Sequence, residues 1–249
     1  MKTCCIIPVR LDSSRLPNKV IQPLRGIKIL DRVINIAKAC NFERIVLATD
    51  SEYLRTMYKN MDVLLMDEKA WCGSQRAYYV YQKYPDYDYY VTIPSDEPMI
   101  DPNELKKSLS NYFQGKTELI ATMGSEWKEQ DLDRYKSCRS CKIITSGDYI
   151  LYFSRAVVPR LKNDTHSMNY SKKHLGVFIF SKKLFKKYGD KAWSNYRNSI
   201  AEVEGLEQTL FLENGFKIRY IPINHPFHGV DTAEDLSALE EKIDNNKRS

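Results

Sequence analysis

The chain reads as an α/β protein, with a doubly wound, mostly parallel sheet and a small mixed β subregion. Three observations predict this. Short apolar runs rich in β-forming residues recur at 4–9, 44–50, 63–66 and 89–93. Stretches with apolar residues at helical spacing separate them, and the alternation continues to about residue 125. Such runs suit strands buried on both faces of a parallel sheet, and their alternation with helices is the grammar of βαβ units. Finally, a loop dense in cations follows the first run, at the strand end where open α/β sheets take ligands.

Cys4-Cys5-Ile6-Ile7-Pro8-Val9 is the first strand, and Arg10-Leu11-Asp12-Ser13-Ser14-Arg15-Leu16-Pro17-Asn18-Lys19 is the loop after it. Arg grips phosphate oxygens with a planar fork, while Lys is a mobile point charge, so these three cations suit a polyphosphate. Any one of them alone would read as a solvated surface charge. Ile27 to Ala39 carries Leu30, Val33, Ile34 and Ala37 at helical spacing, ahead of a second strand at Arg44 to Asp50. Asp50-Ser51-Glu52 caps a further helix, Val63 to Met66 is the third strand, and a helix starts near Ser74 and runs to Lys83. Tyr89 to Ile93 is the fourth strand, and Asp101-Pro102-Asn103-Glu104 opens another helix with a capping Asp ahead of Pro.

Residues 126–137 are polar and charged and read as a mobile loop. Beyond them, Lys142 to Thr145, a Ser146-Gly147-Asp148 turn and Tyr149 to Phe153 read as a hairpin, so the second half mixes strands with returning helices. The expected organisation is one domain over 1–249, with a nucleotide-binding half at about 1–125 and a second half at about 126–249.

Net charge is +6, from 38 basic and 32 acidic residues spread along the chain, which argues against a nucleic-acid-binding stripe and fits an anionic small substrate. No stretch approaches the ~20 apolar residues of a membrane span. Met1-Lys2-Thr3 leads straight into a strand, so no membrane insertion and a cytoplasmic location are the expectation. The six cysteines are too few and too irregularly spaced for a disulfide framework. Cys138-Arg139-Ser140-Cys141 has the spacing of half a zinc site, but no second pair accompanies it.

Thr92-Ile93-Pro94-Ser95-Asp96-Glu97-Pro98 sets two carboxylates at the end of the fourth strand, on the same edge as the cationic loop. Mg²⁺ takes one or two carboxylates together with substrate phosphates, which makes Asp96 the first candidate ligand; Asp-Glu before Pro is also an ordinary turn. Gly229-Val230-Asp231-Thr232-Ala233-Glu234-Asp235-Leu236 offers a further carboxylate, or a plain helix cap at Asp231 or Thr232.

Taken together, Pro8-Val9-Arg10-x-x-Ser13-Ser14-Arg15-Leu16-Pro17-x-Lys19, the Asp96-Glu97-Pro98 turn and His228-Gly229-Val230-Asp231-Thr232 resemble the 3-deoxy-manno-octulosonate (Kdo) cytidylyltransferase family. Three more segments, Trp71 to Arg76, Tyr152 to Pro159 and Lys173 to Phe178, fit the same resemblance, as does Glu204-Gly205-Leu206-Glu207-Gln208. It spans Ile6 to Leu236 and implies a nucleotide-diphospho-sugar-transferase-like fold, CTP and a 3-deoxy-2-keto sugar acid as substrates, Mg²⁺, and a homodimer. The product would serve lipopolysaccharide or capsule synthesis.

Residue by residue, the resemblance implies that Arg10, Arg15, Lys19 and Asp96 are catalytic, and that Asp96 and Asp231 hold metal. Pro8, Val9, Arg10, Ser14, Arg15, Lys19, Cys72, Gly73, Arg76 and Ser95 would line the nucleotide. Arg155 would hold the sugar carboxylate, and His174, Phe178, Glu207 and Gln208 the rest of the sugar. Without the resemblance, a lone His and a Glu-Gln pair on a helix would read as structural and solvated. Pro94-Ser95 stands where the family has Gln-Gly, Cys72 and Gln75 alter the third motif, Phe178 replaces Tyr and Ala233 replaces Pro. Losing the amide at 94 and the hydroxyl at 178 leaves 8-amino-Kdo or a nonulosonic acid open as acceptors. A non-catalytic CTP or sugar-nucleotide sensor is the reading from another class.

Overall fold

The computed structural model describes residues 1–66, 70, 72–115, 117–162, 168–189, 191–194, 196–225 and 229–248. Trp71 and His228, which open two of the motifs, lie outside the described residues.

The chain begins with β1 (Thr3–Val9), in which side chains alternate between the two faces of the sheet: Cys4 and Ile6 join one apolar cluster, and Cys5, Ile7 and Val9 the other. A small hairpin of β2 (Pro23–Leu24) and β3 (Ile27–Lys28) leads into α1 (Ile29–Ala39). Next come β4 (Arg44–Thr49), α2 (Glu52–Met57), β5 (Asp62–Leu65), α3 (Gly73–Lys83), β6 (Tyr89–Thr92) and α4 (Pro102–Gln114). The expected caps are present: Ser51 accepts from the Leu54 amide, and Asp101 accepts from Asn103 and Glu104 ahead of the first-turn Pro102.

The second half contains β7 (Ile120–Glu126), α5 (Leu132–Lys136), β8 (Lys142–Ser146), β9 (Tyr149–Ser154) and β10 (Lys172–Ser181). It closes with α6 (Lys182–Tyr188), α7 (Lys191–Ser194), α8 (Ile200–Glu204), α9 (Thr209–Glu213), β11 (Ile218–Pro222) and α10 (Ala233–Arg248). The hairpin at β8 and β9 forms as expected, with a register shift between Ile144 and Thr145. The loop expected at 126–137 does not. Its last part is α5, preceded by a single 3₁₀ turn, and Tyr135 from α5 is buried with its ring edge-on to Trp127 at 5.4 Å. Two aromatic anchors thus order a segment whose polar composition conceals them.

Among the described residues one nine-stranded sheet runs β5-β4-β1-β6-β10-β7-β11-β9-β8. Strands β4, β1 and β6 are parallel neighbours, as are β7 and β11, while β10 runs antiparallel between β6 and β7. Helices α1 and α4 bury Leu30, Val33, Leu105 and Leu109 on one face; α3, α6 and α9 bury Ala77, Tyr78, Phe185 and Phe211 on the other. The loops leaving β1 and β6 therefore emerge side by side at one sheet edge, and β10 brings the second half across to meet them.

Candidate active site

Lys19 and the two aspartates are brought together across 212 residues of sequence. The Lys19 Nζ donates to Asp96 Oδ2 at 2.6 Å and lies 3.4 Å from Asp231 Oδ1, and the Arg15 guanidinium meets the same Asp231 oxygen at 3.1 Å. Local backbone sets this up. Asn18 adopts a left-handed conformation (φ 55°) that turns the loop into a 3₁₀ turn beginning at Lys19. Burial works against the Lys19 charge, but Asp96 and Asp231 outweigh it and raise its pKa above the ordinary lysine value.

The two aspartate segments are also tied directly: the Val230 amide donates to the Asp96 carbonyl at 2.9 Å. Gly229 lies flush against that turn, since a Cβ there would stand 2.8 Å from Glu97 Oε1. Behind them Glu97 faces His225 at 3.4 Å, and burial pushes its carboxyl pKa upward. Of the two capping candidates, Thr232 takes the role by accepting from the Asp235 amide at 3.3 Å. The Asp235 carboxylate returns the contact to the Asp231 and Thr232 amides, both at 3.0 Å. The Asp231 carboxylate is thereby left to the cations. The donor set fits a magnesium ion: two carboxylates about a third exposed, beside cations suited to phosphate, with coordination left for water and substrate oxygens.

A cleft of about 560 Å³ opens beside this cluster. Pro8, Arg10, Cys72, Gly73, Arg76, Ser95, Asp96, Arg155, His174, Phe178, Glu207 and Gln208 line it, together with Pro94 and Tyr196. Val9 is instead packed in the core, and Ser14, Arg15 and Lys19 lie outside the cleft wall. The difference at Val9 follows from the pleat: its neighbours Pro8 and Arg10 reach the cleft wall while Val9 turns to the helix layer.

Several lining residues are occupied in ways the sequence does not show. Arg76 is buried in an ion pair with Asp50, and its guanidinium also donates to the Ala48 carbonyl at 3.3 Å. The Arg155 guanidinium donates to four backbone carbonyls: Glu204 at 2.7 Å, Gly205 at 3.1 Å, Cys138 at 3.2 Å and Arg139 at 3.3 Å. All three guanidinium nitrogens are so engaged, which argues against a free fork for a sugar carboxylate. Glu207 accepts from the Gly73 and Ser74 amides at 2.9 and 2.8 Å, closing the positive end of α3 from the other half of the chain. Gln208 donates to Cys141 Sγ at 3.5 Å, and Cys72 caps α3, with its thiol pKa pushed up by burial.

His174 sits at a bulge in β10, between Phe153 and Phe178, with Nε2 at 2.9 Å from Thr122 Oγ1. Gly176 makes the bulge possible at φ 78°, where a Cβ would press on Pro94 at 2.9 Å. Thr122 was not predicted, and no local signal marks it: it is a buried strand residue whose partner is 52 positions away.

A phosphate-suited cation loop, paired carboxylates and a cleft at the switch edge of a doubly wound sheet define a nucleotidyltransferase-type α/β protein. The family described as cytidylyltransferase matches residues 4–218. A 3-deoxy-manno-octulosonate cytidylyltransferase of Acidobacterium capsulatum is 31% identical over 96% of this chain and 95% of its own. One from Fusobacterium nucleatum is 28% identical over 99% of this chain and 98% of its own. The chain belongs to the cytidylyltransferase family, in the branch of the Kdo cytidylyltransferases. Among solved structures, a CMP:2-keto-3-deoxy-manno-octonic acid synthetase complexed with CTP matches with TM-score 0.82 at 22% identity, covering 99% of this chain and all of the other. An inositol-1-phosphate CTP transferase from T. maritima matches at 0.68 and 14%, covering 98% and 95%. These likenesses support the fold.

Proposed function

We propose that the protein transfers CMP from CTP to the anomeric hydroxyl of a 3-deoxy-2-keto sugar acid, Kdo first, releasing pyrophosphate. The observation that carries this is the meeting of Lys19, Asp96 and Asp231 beside the cleft, with Asp96 in its wall, in a chain whose full-length relatives bear that activity by name. Phosphoryl transfer asks for positioning and charge neutralisation more than for covalent chemistry. Arg10, Arg15 and Lys19 hold the triphosphate. Lys19, released from the aspartates when phosphate enters, follows the charge that develops on it. Asp96 and Asp231 hold Mg²⁺, which when bound supplies charge neutralisation and a more acidic acceptor hydroxyl. His174 and Phe178 face the sugar, Glu207 fixes the α3 end of the wall, and Gly73 lets the backbone approach the nucleotide.

Asp96→Asn keeps the size of the side chain and removes its charge. CMP transfer is expected to fall at least about 100-fold, and unchanged transfer at limiting Mg²⁺ would remove Asp96 from the site. Pyrophosphate release from CTP, compared for Kdo, 8-amino-Kdo, a sialic acid and no acceptor, fixes the substrate. Pro94 and Phe178 place apolar surface on the sugar side, which favours testing 8-amino-Kdo and the nonulosonic acid beside Kdo. Release with none of them, despite CTP binding, would support the sensor reading.

A cytoplasmic homodimer belongs to the same proposal. Its support is the family, together with apolar side chains left exposed on β9 and α8 at Leu151, Ile200 and Val203. No helix among the described residues is long and apolar enough to cross a membrane.

A further inference from the structure

A side cavity of about 220 Å³ opens off the main cleft and shares Pro94, Asp96, His174 and Gly176 with it. Part of its wall is the 139–141 segment, and that segment is tied down. Lys142 is fully buried, and its Nζ donates to the carbonyls of Ser137 at 2.6 Å, Ser140 at 2.8 Å and Arg155 at 2.9 Å. Arg155 grips the carbonyls of Cys138 and Arg139 from outside, and Gln208 reaches Cys141. A segment held by three side chains presents Arg139 to the cavity on a fixed base.

The cations around the two cavities differ in what they can still offer. Arg76 is paired with Asp50 and Arg134 with Asp235, Lys173 donates to the His225 carbonyl at 3.1 Å, and Arg155 is engaged as described. The Arg139 guanidinium makes no hydrogen bond or ion pair among the described residues, and Glu234, which feels its charge, is an exposed residue at the start of α10. The acids on the same rim already have partners: Lys19 spans Asp96 and Asp231, and His225 faces Glu97.

We propose that Arg139 determines acceptor specificity by gripping the carboxylate of the sugar acid from the side cavity, the role that motif resemblance gives to Arg155. The assignment rests on the function proposed above, because it needs an acidic acceptor. Arg suits the task, since its fork matches a carboxylate with two parallel hydrogen bonds.

The test is steady-state kinetics of Arg139→Met and Arg139→Lys in the full-length protein, with direct binding of the acid and of its carboxamide. The KM for the acid is expected to rise about tenfold to a hundredfold in Arg139→Met, the loss for one charge-assisted pair. The KM for CTP and the kcat stay unchanged, and Arg139→Lys recovers part of the loss. With the neutral carboxamide, wild type and Arg139→Met bind alike. An unchanged KM for the acid in an active variant overturns the assignment alone, as does an equal rise for acid and carboxamide. A wild-type protein silent with every acid overturns the proposed function first, and this assignment with it.

Discussion

His174 shows how far two hydrogen bonds can fix the chemistry of a side chain. The Thr122 hydroxyl has one proton, and it donates that proton to the Val177 carbonyl at 2.7 Å. The His174 Nε2 at 2.9 Å must therefore be the donor in the other contact, which assigns the neutral Nε2–H tautomer and leaves Nδ1 as an acceptor. Burial pulls the ring pKa down to about 3, in the same direction. An acceptor nitrogen in the cleft wall suits a ligand hydroxyl and does not serve as an acid at neutral pH. Ring resonances of His174 in NMR are expected to show no titration between about pH 5 and 8, where an ordinary histidine titrates near 6.5. A midpoint near 6.5 would refute the lowered pKa, and the 15N shifts of the neutral ring report the tautomer directly. The sign for stability follows: the unfolded ring takes up its proton below about 6.5 and the folded ring does not. The stabilisation is complete above that pH, and it is lost on acidification toward 3 by about 1.4 kcal/mol per pH unit.

The end of α3 shows the same economy in a whole element. Its N-terminus is capped twice, by Cys72 Sγ from within its own segment and by Glu207 from the turn before α9. The second cap ties the first half of the chain to the second, because the carboxylate and the amides it meets lie 134 and 133 residues apart. Glu207→Ala is expected to cost about 1 to 2 kcal/mol, from loss of the cap and of the charge at the helix end. In a chain of this length that lowers Tm by about 2 to 8 °C. Saturating CTP should not restore the full difference, since the bond exists without it. A melting temperature equal to wild type would mean that the Glu207 cap adds nothing to stability. Helix α3 itself was readable as a helix from near Ser74 to Lys83, and so were the caps at Ser51 and Asp101. Glu207 as a cap was not, because its partners are backbone amides, and backbone amides carry no sequence signature. The four carbonyls held by Arg155 and the three held by Lys142 escape a reading by residue type in the same way. The order in 126–137 was missed for another reason: one buried Trp127–Tyr135 pair in a charged segment outweighs its composition.

At the scale of the molecule, local pattern identified β1, β4, β5, β6 and the β8–β9 hairpin, but not β7, β10 and β11 or the order of the sheet. The parallel set β4-β1-β6 was legible because each strand is a short apolar run followed by an amphipathic helix. The position of β10 was not, since nothing in Lys172–Ser181 says that it pairs with β6 on one side and β7 on the other. The consequence is physical. Phe178, Ile179 and Phe180 pair with Thr92, Val91 and Tyr90 of β6 and with Thr122, Ala121 and Ile120 of β7, so the second half supplies the middle of the sheet. Strand β11 then extends the same sheet from β7. The halves described from sequence as 1–125 and 126–249 therefore share one hydrogen-bonded core. Urea unfolding of the full chain is expected to give a single transition, coincident by far-UV circular dichroism and tryptophan fluorescence. A fragment of residues 1–125 is expected to show no cooperative transition, because β6 and β7 would each lose the neighbour that joins them. Two separated transitions in the full chain, or a fragment that unfolds cooperatively, would mean that the first half carries a core of its own. In that case the cleft would lie between separable parts. With one core, a substitution in β10 is felt both in stability and at His174, because the strand that closes the sheet is also the wall of the site.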